Sequence, residues 1–411
     1  MTQRRDTDAA SPSSTPAAEH PSPRRQLLTV AGRTIAVLLA MAVLIATGVG
    51  WVIHHRADTA MAAHQVDALV PDDPHILRAP ATGPATAPSA DRTIGGGSRS
   101  TAAEVATIPG SGSTSAGSQP VPAPAGPVTR QEAAAMPAEN ILILGLDTRG
   151  KGENGVGPGT SQSDVIMIAH LHAGHRSMSV LSIPRDLYVP APACKQWDNV
   201  TGKLSDQDFI TPYRSWKITN AYSVGGPQCT VKAVQGLTGV RIDRMIAIQF
   251  EGFKSIVDAL GGVRMTFSTP VIDGHQGAVI TRPGSQLVSG DQALRLVRSR
   301  TVKGDPSGDL GRIGRQQKLI SAIMHQVSSS GLLSDPTKLD RVVQTFVAHS
   351  TVANVTIDRL LQLARTLGGG AGSVAFTTLP TVGASRSDGL QQAPQDQRIF
   401  AALAGDEPLA P

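Results

Sequence analysis

Asn140 to Asp147 reads NILILGLD, and this run decides the fold. Its apolar residues are consecutive rather than alternating, which is the pattern of a strand covered on both faces. A glycine-rich loop spans 148–163. Asp164 to Leu171 (DVIMIAHL) then repeats the pattern, Ala173-Gly174-His175-Arg176 reads as a turn, and Met178 to Ile183 (MSVLSI) is a third strand stopped by Pro184. Three consecutive strands with short connections predict an up-down-up meander. In that arrangement the end of the first, the start of the second and the end of the third share one edge. Asp147, Asp164 and Arg185 would gather there, and strand ends are where α/β folds place ligand chemistry.

Downstream, strands and helices alternate. Helices are predicted at Gln228 to Leu237, Gly252 to Leu260, Asp291 to Val297, Leu310 to Ser328, Leu339 to Ala348 and Ile357 to Leu367. Strands are predicted at Met245 to Phe250, Val263 to Phe267 and Val374 to Leu379. This is an α/β domain, one mixed sheet covered by helices, assigned to residues 139–382. Residues 383–411 read as a loop, a short helix near Ile399 to Ala404, and a tail.

Upstream, Thr34 to Ile53 is a run of twenty residues without a charge, about the ~20 a helix needs to cross a bilayer. Arg4, Arg5, Arg24, Arg25 and Arg33 precede it and only Arg56 follows closely. The positive-inside rule therefore puts the N-terminus in the cytoplasm and the domain outside. A cleaved signal peptide is the competing reading, but the apolar run exceeds the ~7–15 residues of a typical h-region. Residues 1–33 read as a disordered cytoplasmic tail, 34–53 as a membrane helix, and 54–138 as a linker rich in Pro, Gly, Ala and Ser. A short helix within 57–78 is left open.

Cys194 and Cys229 fall outside the membrane in this topology, where disulfides persist; two free thiols are the alternative. Zinc is not expected at these cysteines, since no further Cys or His at ligand spacing accompanies them. The formal net charge of +5 allows nucleic acid, membrane or anionic substrates as partners. An extracytoplasmic domain with 3% aromatic residues has little to stack on bases, so nucleic acid is not expected.

Two carboxylates at one sheet edge repel unless a cation offsets them. Asp147 and Asp164 are therefore candidate Mg²⁺ ligands, against the plainer reading of a turn cap and a solvated strand start. The second cluster is basic: Arg295, Arg298, Arg300, Lys303, Arg312, Arg315 and Lys318 lie within 24 residues, against Asp305 and Asp309. Leu310, Ile313, Ile320, Met324 and Val327 recur at helical spacing and would face the core, with Arg312, Arg315, Gln316 and Leu319 on an adjoining face. Arginines in the first turns of a helix oppose its dipole. Beside free backbone N–H groups they make an anion site, and the planar guanidinium suits phosphate. A solvated basic face is the alternative.

NILILGLD, QSDVIMIAHL, SIPRD, KITNAYSVGG, QALRLVRSR and GDLGRIGRQQ occur in the order seen in the LytR-CpsA-Psr family, which this chain resembles from about Asn140 to Ile323. The resemblance implies an α-β-α sandwich with a deep apolar channel for a polyprenyl chain. It implies transfer of a phospho-glycopolymer from a polyprenyl-pyrophosphate carrier to a peptidoglycan sugar hydroxyl with Mg²⁺, beside the cytoplasmic membrane. By motif, Asp147 and Asp164 resemble the magnesium aspartates. Arg185, Arg298, Arg300, Arg312 and Gln316 resemble the pyrophosphate ligands, with Lys217 and Arg315 alongside. Asp164 and Asp309 are the candidate proton acceptors. Thr219 and Asn220 depart from the usual Asn-Ala of the Lys217 segment. The rivals are a non-catalytic binder of anionic wall polymers or lipid phosphates, a lipid pyrophosphatase, and a regulatory protein acting through its tail. The first needs the arginines but not the paired aspartates; the last is disfavoured because the tail lacks helix-turn-helix patterning.

Overall fold

The computed structural model describes residues 54–70, 136–148, 161–368, 373–383 and 389–409. The chain divides into two units after His55, and the account below concerns the unit that starts at Arg56. The membrane helix read at 34–53 and the tail read at 1–33 lie outside the described residues. Among the described residues no helix is long and apolar enough to cross a membrane.

Six strands form the central sheet: β1 (Glu139–Thr148), β2 (Ser161–Leu171), β3 (Ser177–Ser182), β4 (Arg244–Gln249), β5 (Ser350–Ala353) and β6 (Ser373–Thr378), in the order β5-β4-β1-β2-β3-β6. β1, β2 and β3 are the antiparallel meander read from sequence. β4 joins β1 in parallel and β6 joins β3 in parallel, while β5 closes antiparallel on β4, so the sheet is mixed.

Both faces are buried, as the unbroken apolar runs require. Leu142, Leu144, Ile166, Ile168 and Leu181 pack under α1 (Asn220–Thr238) together with Phe400 and Leu403 from the C-terminal helix. Ile141, Met167, Ala169 and Val180 face the other way, against residues of three later helices. After α2 (Phe250–Ala259) and α3 (Gly290–Arg298) these are α4 (Asp309–Ser329), α5 (Pro336–Ala348) and α6 (Ile357–Gly368); α7 (Asp396–Ala404) is the C-terminal helix. A third core joins α2, α3 and one side of α4 to the antiparallel pair of strands Val263–Phe267 and Gly284–Val288.

Three expectations are corrected. Residues 56–70, read as linker, pack on the domain: Ala57 and Met61 are buried, and Val66 N donates to Val352 O at 2.8 Å while Val352 N donates to His64 O at 3.0 Å. This segment covers the open edge of β5, which would otherwise expose a row of unpaired backbone groups. The tail read after 404 is docked as well, with Leu409 buried. Leu310 is 51% exposed rather than core-facing, because the buried side of α4 is the one that carries Arg312, Ile313, Gln316 and Leu319.

α1 starts eight residues earlier than the sequence suggested. It carries a non-helical kink at Gly225 and Gly226 before Pro227, whose missing N–H cannot continue the ladder. The kink seats the Cys194–Cys229 disulfide: a Cβ on Gly225 would lie 2.8 Å from Cys194 Cβ and 2.5 Å from Cys229 Cβ. The bond closes a separation of 35 residues, worth about 4 kcal/mol on the chain-entropy model. Replacing both cysteines by serine is expected to lower unfolding free energy by that order in denaturant titrations. Reduction should then destabilise the native protein and leave the double variant unchanged.

Candidate active site

The site starts from an irregularity in β2. Gly145 pairs with Val165 and Leu146 with Ser163, so Asp164 is the extra, unpaired residue of a β-bulge. Bulges re-aim side chains at sheet rims. The bulge needs the glycine opposite: a Cβ on Gly145 would lie 2.9 Å from Val165 Cβ and 3.1 Å from Phe250 Cε1. The re-aimed Asp164 side chain is 4% exposed and collects three arginines from three segments. Arg185, just after β3, donates to its Oδ1 at 2.7 Å; Arg300, just after α3, donates to its Oδ2 at 2.9 Å. Arg312, in the first turn of α4, stands 3.6 Å from Oδ2 and donates to the Asp164 main-chain oxygen at 3.2 Å. That carbonyl is free for a side chain because the bulge removes it from the ladder.

Arg312 is the largest of the fully buried side chains, 2% exposed. Burial pulls its guanidinium down to about 10; Asp309 and Asp164 pull the other way, while Arg185 and Arg300 add to the lowering. Asp309 accepts from Arg312 at 3.2 Å and also offsets the dipole at the start of α4. For Arg185, burial also pulls down, but Asp164, Asp186 and Asp309 together raise it above its ordinary value. Asp186 closes the SIPRD segment and has no role that its residue type or spacing would announce. It lies 3.5 Å from Arg185 Nε and 3.0 Å from Lys217 Nζ, which carries Lys217 into the same network. Thr219 N donates to the Arg185 carbonyl at 3.2 Å and fixes that segment against the site.

At the end of β1, Asp147 accepts from Arg298 at 2.6 Å, and the Arg298 guanidinium stacks 5.0 Å over the Phe250 ring. Asp147 pairs with Gln162 across β1 and β2, two residues from Asp164. The structure thus gathers Asp147, Asp164, Arg185, Lys217, Arg298, Arg300, Asp309 and Arg312 at one sheet edge. Arg315 and Gln316 have other partners. Arg315 binds Asp305 at 2.6 Å and the Ser299 carbonyl at 2.8 Å, and Gln316 Nε2 donates to the Val297 carbonyl at 3.2 Å. Both fasten the 297–305 loop to α4, and so place Arg298 and Arg300.

Asp273 does the same from the other side and carried no signal in sequence. Its Oδ2 accepts from Arg300 N at 2.9 Å and Thr301 N at 2.6 Å, and its Oδ1 from His275 N and Gln276 N. Burial raises this carboxyl, but the backbone donors outweigh it and hold it down to about 2. Since an unfolded aspartate titrates near ~4, the stabilisation is complete above that value and is lost as pH falls through about 2. Asp273→Asn is expected to be less stable at neutral pH by about 2–3 kcal/mol. Its melting temperature should also fall less steeply than the native protein's on the acid side. Parallel acid profiles would contradict this role.

Among the described residues Arg185, Lys217, Arg298, Arg300 and Arg312 meet Asp147, Asp164, Asp186 and Asp309, which leaves one cation in excess. Among the described residues the buried Nε groups of Arg185, Arg298 and Arg312 make no hydrogen bond, although Asp186 stands 3.5 Å from the first. Such donors cost about 1–3 kcal/mol each when left unmatched. A cluster that keeps them beside surplus positive charge is built to receive an anion with several oxygens.

The model of the LytR_cpsA_psr family matches residues 112–403. The polyisoprenyl-teichoic acid–peptidoglycan teichoic acid transferase TagU of Bacillus mycoides is 32% identical over 225 residues, 54% of this chain and 62% of TagU. Biofilm regulatory protein A of Streptococcus mutans is 29% identical over 228 residues, 54% of this chain and 52% of the relative. The chain thus spans between half and two thirds of the length of these curated relatives. Among solved structures, protein gbs0355 of Streptococcus agalactiae aligns with a TM-score of 0.51 at 19% identity, over 67% of this chain and 90% of that one. TagT bound to LIIa-WTA aligns with a TM-score of 0.50 at 23% identity, over 66% and 91%. These likenesses bear on the fold, a mixed α/β domain with a central mixed sheet.

Proposed function

The chain is a member of the LytR-CpsA-Psr family, and from that premise we propose that it transfers a phospho-glycopolymer from a polyprenyl-pyrophosphate carrier to a sugar hydroxyl of peptidoglycan. The observation that carries this reading is the convergence of Arg185, Arg300 and Arg312 on the bulged Asp164, with buried donors left unmatched. The name of the TagU relatives, teichoic acid transfer to peptidoglycan, supports it.

In this reading the acceptor hydroxyl oxygen forms a new bond to the phosphorus that carries the glycan. The bond from that phosphorus to the bridging oxygen breaks, and polyprenyl phosphate leaves. Phosphoryl transfer depends on positioning and on stabilising charge at the non-bridging and leaving oxygens. Arg185, Arg298 and Arg312 supply fixed donors for those oxygens, and Lys217 a further cation. Asp147 and Asp164 offer hard oxygens that suit Mg²⁺. Each is now held by arginine, so the metal fits in company with a phosphate that takes the guanidinium groups. When bound, Mg²⁺ neutralises the pyrophosphate. Asp164 is 4% exposed and bound by arginine at 2.7 and 2.9 Å, whereas the Asp309 oxygens are held more loosely, at 3.2 Å from Arg312. Asp309, 26% exposed, is the better acceptor. Asp309→Asn is expected to lower kcat about 100-fold or more with little change in KM.

We read the uncharged run 34–53 as a retained anchor that holds this domain outside the cytoplasm beside its membrane-confined donor. An apolar channel leading to the arginines would receive the polyprenyl chain. Incubating the full chain with donor labelled in the glycan phosphate and with peptidoglycan oligomers tests the assignment. Label in peptidoglycan with release of polyprenyl phosphate is expected. Donor bound but unconsumed would make the protein a binder. Hydrolysis without incorporation, even with acceptor present, would make it a pyrophosphatase.

A further inference from the structure

At the opposite end of β2 from Asp164, His170 lies in the strand and His172 directly follows it, and both rings turn to the same side. Both meet Asp406, which lies 234 residues beyond His172 in the segment after α7. His170 Nε2 lies 2.9 Å from Asp406 Oδ1 and His172 Nδ1 lies 2.8 Å from the same oxygen. Among the described residues, this is the one group of three or more His, Cys, Asp or Glu whose ligand atoms come close enough to share a metal ion, all within 4.8 Å of one another.

The hydrogen-bond pattern around His170 shows that something is required there. Asn140 Nδ2 donates to the Arg241 carbonyl at 2.9 Å, which fixes the orientation of the amide. Asn140 Oδ1 therefore faces His170 Nδ1 at 2.7 Å, and an amide oxygen only accepts. His170 Nδ1 must carry the hydrogen. In a neutral ring, Nε2 then presents a lone pair to the Asp406 carboxylate, which has only lone pairs to offer. A second proton or a metal cation must lie between them. A metal takes neutral imidazole nitrogen and carboxylate oxygen together, and the same Asp406 oxygen faces a nitrogen of each ring.

We propose that His170, His172 and Asp406 form a binding site for one zinc-class divalent cation. The donor set selects that class: two imidazole nitrogens and one carboxylate suit Zn²⁺, while Mg²⁺ and Ca²⁺ prefer oxygen alone. The outer partners are in place. Metal-bound histidines engage their other nitrogen in a hydrogen bond that sets the ring. Here His170 has Asn140, and His172 Nε2 lies 2.9 Å from Ser179 Oγ. Ala173 N donates to Asp406 Oδ2 at 3.1 Å and orients the carboxylate. The Asp406 main-chain oxygen, 3.3 Å from His172 Nδ1, is near enough to serve as the fourth ligand, or water fills that position. The cation would clasp the segment after α7 to β2, at the end of that strand opposite Asp164.

The full chain in detergent, stripped with chelator and held in excess Mg²⁺, is to be titrated with Zn²⁺ alone and separately with Co²⁺. One equivalent of saturable Zn²⁺ binding, a tetrahedral Co²⁺ spectrum and a rise in melting temperature with Zn²⁺ are expected. His172→Gln and Asp406→Asn should each weaken Zn²⁺ binding by about 100-fold or more, beyond the ~10–100-fold typical of outer-partner losses. Should either variant misfold by circular dichroism, anomalous scattering at the zinc edge from native crystals soaked in Zn²⁺ gives the answer directly. A peak among the three side chains supports the site. No saturable binding, binding unchanged in folded variants, or a peak elsewhere overturns it and leaves a buried imidazolium–carboxylate pair.

Discussion

Asp164→Ala is expected to abolish transfer and to destabilise the domain by about 3–5 kcal/mol, the range for a buried ion pair that loses one partner. The size follows from geometry. Asp164 is the carboxylate on which Arg185, Arg300 and Arg312 all converge, and Arg312 has 2% exposure. Without it, Arg312 and Arg185 keep, among the described residues, only Asp309 and Asp186 as nearby opposite charges, at 3.2–3.9 Å. Denaturant unfolding measures the loss of stability, and the labelled transfer assay measures the loss of activity. A variant with native stability would mean that the arginines do not depend on this carboxylate.

Arg312→Lys separates catalysis from folding. Lysine keeps the charge that balances Asp164 and Asp309 but loses the planar fork that reaches both the Asp164 carbonyl and Asp309. Transfer is expected to fall by about 10²–10³-fold, the usual effect of removing one fixed donor from a developing charge. Stability should change far less than in Asp164→Ala. Activity within tenfold of native would show that the charge alone suffices and that bidentate geometry at this position is not used.

Much of this arrangement was legible in the chain. Unbroken apolar runs at Ile141–Leu146 and Val165–Ala169 announce strands covered on both faces, and a meander of such strands is enough to bring Asp147, Asp164 and Arg185 to one edge. The bulge was not legible. Nothing in SDV marks residue 164 as unpaired, because the cause lies across the ladder at Gly145. Helical spacing placed Arg312, Arg315 and Gln316 on one face of α4, beside the core-facing one. It could not say which side met the carboxylates and which met the 297–305 loop. Asp273 escaped because its partners are backbone N–H groups up to 28 residues away, and such bonds leave no pattern in residue type. Residues 56–70 were absorbed into the linker because their pairing with Val352 spans almost the whole domain. His170 and His172 were hidden for a related reason. They complete an apolar strand, and their partner Asp406 comes from a segment that read as tail.

The central claim is that guanidinium groups from separate segments receive one doubly phosphorylated lipid headgroup at the rim of the sheet. The most direct measurement is a crystal structure of the protein with a polyprenyl pyrophosphate and Mg²⁺. The account expects both phosphates within hydrogen-bond reach of Arg185, Arg298 and Arg312, with the metal at Asp147 and Asp164. A headgroup bound elsewhere, with those arginines still closed on Asp147 and Asp164, would contradict it.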